Sequence, residues 1–280
     1  MGEVEPRRVS DGAVDARPEI VFFDVGDTLL RVYPSWTGQY LEVCRRFRLD
    51  VEADALEAAF GRALQDGFWD VDGPFEATPE ASHERVKAFD VRVMRLLGFD
   101  DFPDSFYRAI GEQFARPAAW SVFPETETTL ESIARAGIRR AVISNWVWNL
   151  PELLGSLGLA RHFEAIVTSA RVGYQKPQRE IFQWALRATG VPAERALHVG
   201  DSVAADVTGA RGAGIRAVLL DRAGHASIDE IARPATASGA LLDRAEHRDA
   251  RPAAIAAGVP VITDLAALLP IVGLPAPGPA

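Results

Sequence analysis

The sequence is poor in cysteine, and this excludes two classes of site. Cys44 is the only cysteine among 280 residues, so the chain can form neither an internal disulfide nor a metal cluster of cysteine ligands. The five histidines show neither HxH nor HExxH spacing, so no zinc site is indicated. We expect Cys44 to pack as a small hydrophobic side chain.

Long apolar stretches are also missing. No run of about 18 apolar residues occurs, so the sequence predicts no membrane-spanning helix. Residues 1–18 are charged and lack the apolar segment of a signal peptide, so we expect a disordered N-terminal tail on a cytoplasmic protein. The net charge of −9 and the pI near 5.1 give no support for binding nucleic acid or an anionic membrane.

Lysine is scarce as well. Of the 30 basic residues, only Lys87 and Lys176 are lysines. Lys176 lies in the loop sequence GYQKPQ, just before a segment with helical spacing. Because the chain uses arginine almost everywhere else, a lysine in this loop indicates a requirement for a compact positive charge. Lys87 lies in the helical segment ERVKAF, where a solvated position is expected.

The chain does contain a regular alternation of strand and helix patterns. Helix-like segments separate the later apolar runs, which indicates βα units and a parallel sheet. Continuous apolar strands fit a sheet that is covered on both faces, so the pattern predicts an α/β protein with a doubly wound, Rossmann-like core. The predicted strands are IVFF (20–23), AVI (141–143), AIVT (165–168), LHV (197–199), AVLL (217–220) and VPVIT (259–263).

Residues 35–116 interrupt this alternation. They contain no convincing strand, and their apolar residues recur with helical spacing. We therefore expect an α/β core domain formed by residues 19–34 and 117–280, with an inserted all-helical cap domain formed by residues 35–116. Residues 222–258 are rich in alanine, arginine and aspartate. They are long for a connection in a compact domain, so an irregular excursion is expected there.

Polar residues follow several of the predicted strands. Asp24 ends the first apolar run in FFDVGDTLL, Ser144 and Asn145 end the second, and Asp201 follows the run LHV. In open α/β sheets, ligands bind beyond the carboxyl ends of the strands. A single such residue is more often a helix cap, but an ordered set of carboxylates, a hydroxyl and the Lys176 ammonium predicts a reactive site at this edge.

These motifs resemble those of the haloacid dehalogenase superfamily, hydrolases that use an aspartate nucleophile. FFDVGDTL is similar to the first motif, AVISN to the second, KPQREIF to the third and HVGDSVAAD to the fourth. The resemblance covers about residues 19–221 and the segment VPVITDLAALL. The predicted helical insert falls where that family carries its helical cap, between the first and second motifs.

The resemblance implies a role for each residue of the set. Asp24 would be the nucleophile that forms an aspartyl phosphate, with Lys176 as a catalytic cation. Ser144, Asn145 and Lys176 would bind the phosphate of a small phosphorylated molecule. Asp24, the main-chain carbonyl of Gly26 and Asp201 would hold Mg²⁺, which prefers one or two carboxylates together with water and phosphate. Asp206 would support the site by orienting Lys176 or a water molecule.

The sequence departs from the family pattern at Gly26. Phosphatases of this family usually carry a second acid there, which protonates the leaving group and then activates water. The nearby acid is Asp27, one residue on, and in an extended segment a shift of one residue points a side chain to the opposite side. Asp27 is therefore expected to face away from the phosphoryl group and to bind backbone donors near Thr28.

Two alternatives to a Mg²⁺-dependent phosphatase stay open. The first is a metal-independent 2-haloacid dehalogenase, which needs no leaving-group proton; the acidic pair Asp201 and Asp206 argues against it, because clustered carboxylates require a cation. The second is a weakly active or inactive family member that binds a phosphorylated ligand or a protein. A Schiff-base chemistry would need Lys87 as its amine. The substrate and the choice between monomer and homodimer stay undetermined.

Several large or titratable side chains allow two interpretations. Trp36, Trp146 and Trp148 could line a pocket or serve packing, since aromatic side chains mostly occupy cores. His198 lies on a predicted strand between apolar neighbours, so a hydrogen-bonded core histidine is favoured over a catalytic one.

Overall fold

A six-stranded parallel sheet organises the protein. The computed structural model describes residues 17–65, 73–100, 102–222 and 258–276. The strand order in the sheet is β5-β4-β1-β6-β7-β8. The strands of this sheet are β1 (Ile20–Phe23), β4 (Arg139–Ser144), β5 (Ile166–Thr168), β6 (Ala196–Gly200), β7 (Arg216–Leu220) and β8 (Val261–Ile262).

All six predicted strands are present, and the predicted α/β class is confirmed. The central strand β1 shows why continuous apolar runs mark this sheet: Val21 and Phe23 enter one hydrophobic cluster, whereas Ile20 and Phe22 enter the cluster on the opposite face. Helices cover both faces. They are α5 (Thr126–Arg135), α6 (Leu150–Ser156), α7 (Ser169–Val172), α8 (Arg179–Thr189), α9 (Gly209–Gly212) and α10 (Leu268–Ile271), with a π-helix at Val203–Thr208.

A small antiparallel ribbon was not predicted. It consists of β2 (Leu30–Val32) and β3 (Trp120–Val122), with Leu30 opposite Val122 and Val32 opposite Trp120. Each strand has only three residues, too few for a periodic pattern, and their partners are far apart in the chain. The ribbon joins the two chain segments that connect the sheet to the helical insert.

The described part of the insert is helical. Its helices are α1 (Trp36–Arg46), α2 (Ala53–Gln65), α3 (Pro79–Leu96) and α4 (Asp104–Ala115). They share a hydrophobic cluster of their own, which includes Tyr40, Leu56, Val93, Phe106 and Ile110. That residues 35–116 act as a separate domain remains a prediction.

Local sequence explains where two of these helices begin. Ser35 caps α1 by accepting a hydrogen bond of 3.0 Å from the Gly38 N–H. Thr78 caps α3 in the same way, with Ala81 as the donor at 3.1 Å. Pro79 at the first helical position fits as well, because its missing N–H would have no helical partner.

Two predictions fall largely outside the described residues. These are the N-terminal tail at 1–18, of which only Arg17 and Pro18 are described, and the irregular excursion at 222–258, of which only Arg222 and Gly258 are described. Within the described ranges, none of the helices combines the length and the apolar character needed to cross a membrane.

Candidate active site

Asp24 stands at the carboxyl end of the central strand. Its N–H donates to the Val199 carbonyl at 2.9 Å, which extends the pairing of β1 with β6 by one residue. The residue is only 6% exposed. Because β1 lies between β4 and β6, the residues that end those two strands lie on either side of Asp24.

Ser144 and Lys176 both bind one oxygen of Asp24. The Ser144 hydroxyl donates to Oδ1 at 3.0 Å, and the Lys176 ammonium donates to the same atom at 2.6 Å. Lys176 also donates to Asp206 Oδ1 at 2.6 Å. The structure therefore brings together three predicted site residues around Asp24, and the two donors fix the rotation of its carboxylate.

Lys176 stays charged although it is buried. Burial alone lowers the pKa of an ammonium group, but the carboxylates of Asp206 and Asp24 outweigh it, and the pKa of Lys176 is raised. Only 3% of this residue is exposed. A buried permanent cation at this position can neutralise an anionic group that binds at Asp24.

The side chain of Asn145 has a task that the sequence did not predict. Its Nδ2 donates to the Lys176 carbonyl at 2.9 Å, and its Oδ1 accepts from the Lys176 N–H at 2.7 Å. The amide thus holds the backbone of Lys176 in place. A phosphate contact from Asn145 stays a prediction.

Asp206 accepts a hydrogen bond from the Lys176 ammonium and holds it in place. It is 1% exposed and binds the Lys176 ammonium, His198 Nε2 at 2.8 Å and the Ser202 N–H at 3.0 Å. Burial raises the pKa of Asp206, but Lys176 and the hydrogen-bonded His198 outweigh it, so the net pKa is lowered. His198 is fully buried, which confirms the prediction of a hydrogen-bonded core histidine.

Gly200 permits the approach of Asp206. A Cβ atom built on Gly200 would lie 2.2 Å from Cγ of Asp206, so no other residue fits there without displacing the carboxylate. We did not single out this glycine from the sequence. Its place in HVGDS, between a buried strand and an acid, was the available signal.

Three carboxylates converge at this edge. Asp24, Asp201 and Asp206 each offer an oxygen, and these atoms all lie within 4.8 Å of one another. Burial raises the pKa of Asp24, as does the charge of Asp206, against the lowering effect of Lys176. The pKa of Asp201 is raised well above its usual value by burial and by the charges of Asp24, Asp206 and Asp27.

The charges of this cluster do not balance. Three carboxylates against one ammonium leave two negative charges when all the acids are ionised. A divalent cation with oxygen ligands would supply the missing charge. The donor set therefore fits Mg²⁺, and the assignment of Asp24 and Asp201 as its carboxylate ligands stays a prediction.

The turn after Asp24 is not extended. Asp27 adopts a left-handed backbone conformation with φ of 51°, and its N–H donates to the Leu30 carbonyl at 2.8 Å. Because this segment is a turn and not an extended strand, a shift of one residue does not by itself point Asp27 away from the site. The charge of Asp27 reaches Asp201, whose pKa it helps to raise.

Trp146 stands beside Gly26. A Cβ atom on Gly26 would meet the Trp146 ring at 3.5 Å, an ordinary contact distance. The same indole packs on Trp120, with ring centroids 4.8 Å apart. The Trp120 ring in turn packs against the Trp36 ring, with centroids 6.0 Å apart. Trp36 therefore has a packing role, whereas Trp146 both packs and borders Gly26.

The helical insert contacts the loop that carries Lys176. The Phe75 N–H donates to the Gly173 carbonyl at 2.9 Å, and the Arg85 guanidinium donates to Gln175 Oε1 at 2.9 Å. The Trp148 N–H donates to the Ser82 hydroxyl at 3.1 Å. The sequence did not reveal these contacts, because no pattern within one segment specifies its partner in another.

Lys87 lies apart from the cluster. Its ammonium binds Asp104 Oδ1 at 2.6 Å, which joins α3 to α4 at the surface of the insert. This agrees with the solvated position that the sequence indicated, and it leaves Lys176 as the lysine of the site.

Two features define the class of protein to which this chain belongs. The central strand of a parallel sheet ends in an aspartate, and that aspartate is surrounded by a hydroxyl, an ammonium and two further carboxylates. A family model described as haloacid dehalogenase-like hydrolase matches residues 18–214. The chain belongs to this family of hydrolases, as its motifs indicated.

Two curated relatives illustrate the similarity. The chain is 32% identical over 234 residues to the human haloacid dehalogenase-like hydrolase domain-containing protein 3, covering 81% of this chain and 91% of the relative. It is 30% identical over 210 residues to a glyceraldehyde 3-phosphate phosphatase from Methanothermobacter thermautotrophicus, covering 72% of this chain and 84% of the relative.

Solved structures share the fold. A HAD phosphatase from Thermococcus onnurineus superposes with a TM-score of 0.57 at 22% identity, covering 92% of this chain and 100% of that chain. A 2-haloacid dehalogenase from Pseudomonas syringae superposes with a TM-score of 0.55 at 25% identity, covering 91% of this chain and 97% of that chain. Both activities occur on this fold, so the site must decide between them.

Proposed function

We propose that the protein is a Mg²⁺-dependent phosphatase that hydrolyses a small phosphorylated metabolite through an aspartyl phosphate at Asp24. The observation that carries the proposal is the acidic cluster of Asp24, Asp201 and Asp206 around one lysine. A haloacid dehalogenase needs no metal, and three ionised carboxylates around one lysine would only weaken its binding of an anionic haloacid. The phosphatase named among the relatives supports the same substrate class.

Asp24 performs the first displacement. A carboxylate oxygen attacks phosphorus, the bond between phosphorus and the leaving-group oxygen breaks, and an acyl phosphate forms on Asp24. Ser144 and Lys176, which bind Asp24 Oδ1, hold the carboxylate in the attacking orientation. They also face the phosphoryl oxygens, whose charge Lys176 neutralises.

The second displacement restores Asp24. A water oxygen attacks phosphorus, the bond between phosphorus and the Asp24 oxygen breaks, and inorganic phosphate leaves with the carboxylate regenerated. A proton from that water passes to solvent or to a neighbouring base. With glycine at position 26, the leaving-group proton comes from water, from the substrate or from a residue of the insert or of the adjacent turn.

Asp24, Asp201 and the Gly26 carbonyl would hold the Mg²⁺. When bound, the ion supplies positive charge to the phosphoryl oxygens in the transition state. Asp206 is committed to Lys176, His198 and the Ser202 N–H, so its task is to keep Lys176 oriented and charged.

A panel of substrates tests the proposal. Initial rates are measured on an aryl phosphate, on several small phosphoesters and on 2-haloacids, each with Mg²⁺ and with excess chelator. Phosphoester hydrolysis that requires Mg²⁺ is expected. Haloacid hydrolysis that persists in chelator would assign a dehalogenase, and no turnover of any substrate would assign a ligand-binding member of the family.

A further inference from the structure

Arg222 makes four contacts with two segments that are distant in sequence. Its Nε donates to the Asp27 carbonyl at 3.1 Å, and its Nη2 donates to the Thr28 carbonyl at 2.8 Å. Its Nη1 lies 2.7 Å from Glu125 Oε1, and its guanidinium carbon lies 3.6 Å from the centroid of the Phe123 ring. Only 9% of its side chain is exposed.

The first pair of contacts holds a strained turn. Asp27 has a φ of 51°, a left-handed conformation that residues with a side chain rarely adopt. Such conformations persist where the surroundings over-determine them. Arg222 binds the carbonyls of Asp27 and Thr28, and it thereby fixes the turn that leads from Asp24 through Gly26.

The second pair of contacts joins the turn to the chain that returns from the insert. Phe123 and Glu125 lie between β3 and α5, and the Phe123 N–H itself donates to the Leu29 carbonyl at 3.1 Å. The Thr126 hydroxyl donates to the same carbonyl at 3.0 Å. The return segment therefore binds the Leu29 carbonyl, and Arg222 binds the two preceding carbonyls of the same turn.

We propose that Arg222 is a positioning residue that locks the turn after the nucleophile and couples its geometry to the segment returning from the helical insert. Its effect on turnover rests on the proposed phosphatase function, whereas its effect on the turn does not. The guanidinium suits this task, because its rigid fork donates to two carbonyls and a carboxylate while its face lies on an aromatic ring.

Hydrogen exchange followed by mass spectrometry tests the lock without any substrate. The variants are Arg222→Met, which keeps the length but removes every donor, and Arg222→Lys, which keeps one charge. Arg31→Met is the matched control, since Arg31 is exposed and its guanidinium lies 5.8 Å from the same Phe123 ring.

Exchange should accelerate locally in the Met variant. The reporters are the turn amides of Asp27, Leu29 and Leu30, which donate within the turn at 2.8 to 3.1 Å. We expect these amides to exchange at least about tenfold faster, with the β1 and β6 amides unchanged. The Lys variant should lie between the Met variant and the wild type, and Arg31→Met should match the wild type.

Kinetics then separate positioning from simple stabilisation. If the wild type hydrolyses a phosphoester, Arg222→Met should lower kcat by about tenfold or more while KM changes little, because a small misplacement of reacting groups is costly. Unchanged exchange in the turn overturns the lock. Faster exchange throughout the sheet, or a local change with unaltered kcat, shows that Arg222 is only structural. If no substrate is turned over, the exchange result alone decides, and the phosphatase proposal fails separately.

Discussion

At the scale of single residues, Asp24 carries the first prediction. Asp24→Asn should abolish turnover, with a fall of at least about 10³ in kcat, because an amide of nearly the same shape cannot attack phosphorus. Its fold should be retained, since the change also removes one charge from a crowded acidic cluster. The measurement is the initial rate on the best phosphoester together with a thermal melt. Full activity in a folded Asp24→Asn protein would remove the mechanism.

Gly26 and Asp27 carry the second prediction. Gly26 has no left-handed φ, and a Cβ would lie at an ordinary contact distance of 3.5 Å from Trp146, so Gly26→Asp should fold. The added acid should raise the rate on an alkyl phosphate by about tenfold or more and the rate on an aryl phosphate much less. The reason is that only the poor alkyl leaving group needs a proton. Both rates are measured in both proteins.

Asp27→Asn is the companion variant of that comparison. We expect it to leave the alkyl ester much less affected than Asp24→Asn does. The left-handed turn and the influence of Asp27 on the pKa of Asp201 make this a demanding test. If Asp27→Asn cripples the alkyl ester as severely as Asp24→Asn does, then Asp27 is the displaced general acid.

The site could be predicted where strand ends alone determine it. Asp24 and Ser144 end neighbouring parallel strands, and Asp201 directly follows a third, so topology brings them together. The side chain of Asn145 and the conformation at Asp27 could not be predicted in this way. Both depend on hydrogen bonds with loops, and no periodic pattern encodes loop partners.

At the scale of elements, the six buried strands were predictable because each is a continuous apolar run. The ribbon of β2 and β3 was not, because each strand pairs over three residues only. The contacts between the insert and the loop 173–178 were likewise outside the reach of sequence patterns. They join Gly73 to Gln178 and Arg85 to Gln175, close in sequence to Lys176.

Gly173 carries the prediction for this contact. It ends α7 with φ of 76°, and a Cβ there would lie 2.6 Å from the Phe75 carbonyl oxygen. Gly173→Ala should therefore cost more than the roughly 1 kcal/mol expected for a left-handed alanine, and it should lower kcat/KM by disturbing the Lys176 loop. Urea unfolding and steady-state kinetics measure the two effects.

Gly190→Ala is the matched control. Gly190 ends α8 with φ of 67°, and a Cβ there would meet nothing within 4 Å. The same backbone strain should thus appear without the clash, and kcat/KM should stay unchanged. Equal losses of stability and activity in the two variants would show that the contact of Phe75 with Gly173 does not influence the site.

The helices of the insert carry a prediction about pH. Asp90 is 2% exposed and accepts a hydrogen bond from Tyr40. Burial raises the pKa of Asp90 from 3.8 to about 8, although the bond from Tyr40 lowers it in part. The folded protein then holds a proton that the unfolded chain releases. Stability from this group is complete below pH 3.8 and is lost as the pH rises to about 8.

Asp90→Asn should remove this dependence. Between pH 5 and pH 8, the free energy of unfolding should fall by at least about 1 kcal/mol more in the wild type than in the variant. Urea unfolding at both pH values measures this difference, with Asp104→Asn as a control, because Asp104 pairs with Lys87 at the surface. Identical pH slopes in the wild type and Asp90→Asn would show that Asp90 is not protonated in the fold.

At the scale of the whole molecule, the main feature is the acidic cluster at the carboxyl ends of the central strands. The chain carries a net charge of −9, and it nevertheless gathers three acids around one buried lysine at the carboxyl ends of the central strands. Clustering like charges is unfavourable unless a cation completes the site. The sequence predicted this cluster from the polar residues that follow the strands, whereas the contacts of the insert with the Lys176 loop are revealed only by the structure.

The last prediction follows from that charge. A ligand that binds only the folded state stabilises it by mass action, by about 2.7 kcal/mol at 100 times its Kd, so Mg²⁺ should raise the melting temperature whereas a matched ionic strength of NaCl should not. Asp201→Asn should abolish the shift. Asp54→Asn, which removes the same charge from an exposed site in α2, should preserve it. If Mg²⁺ does not change the melting temperature, and haloacids are hydrolysed in excess chelator, then the protein is a metal-independent dehalogenase.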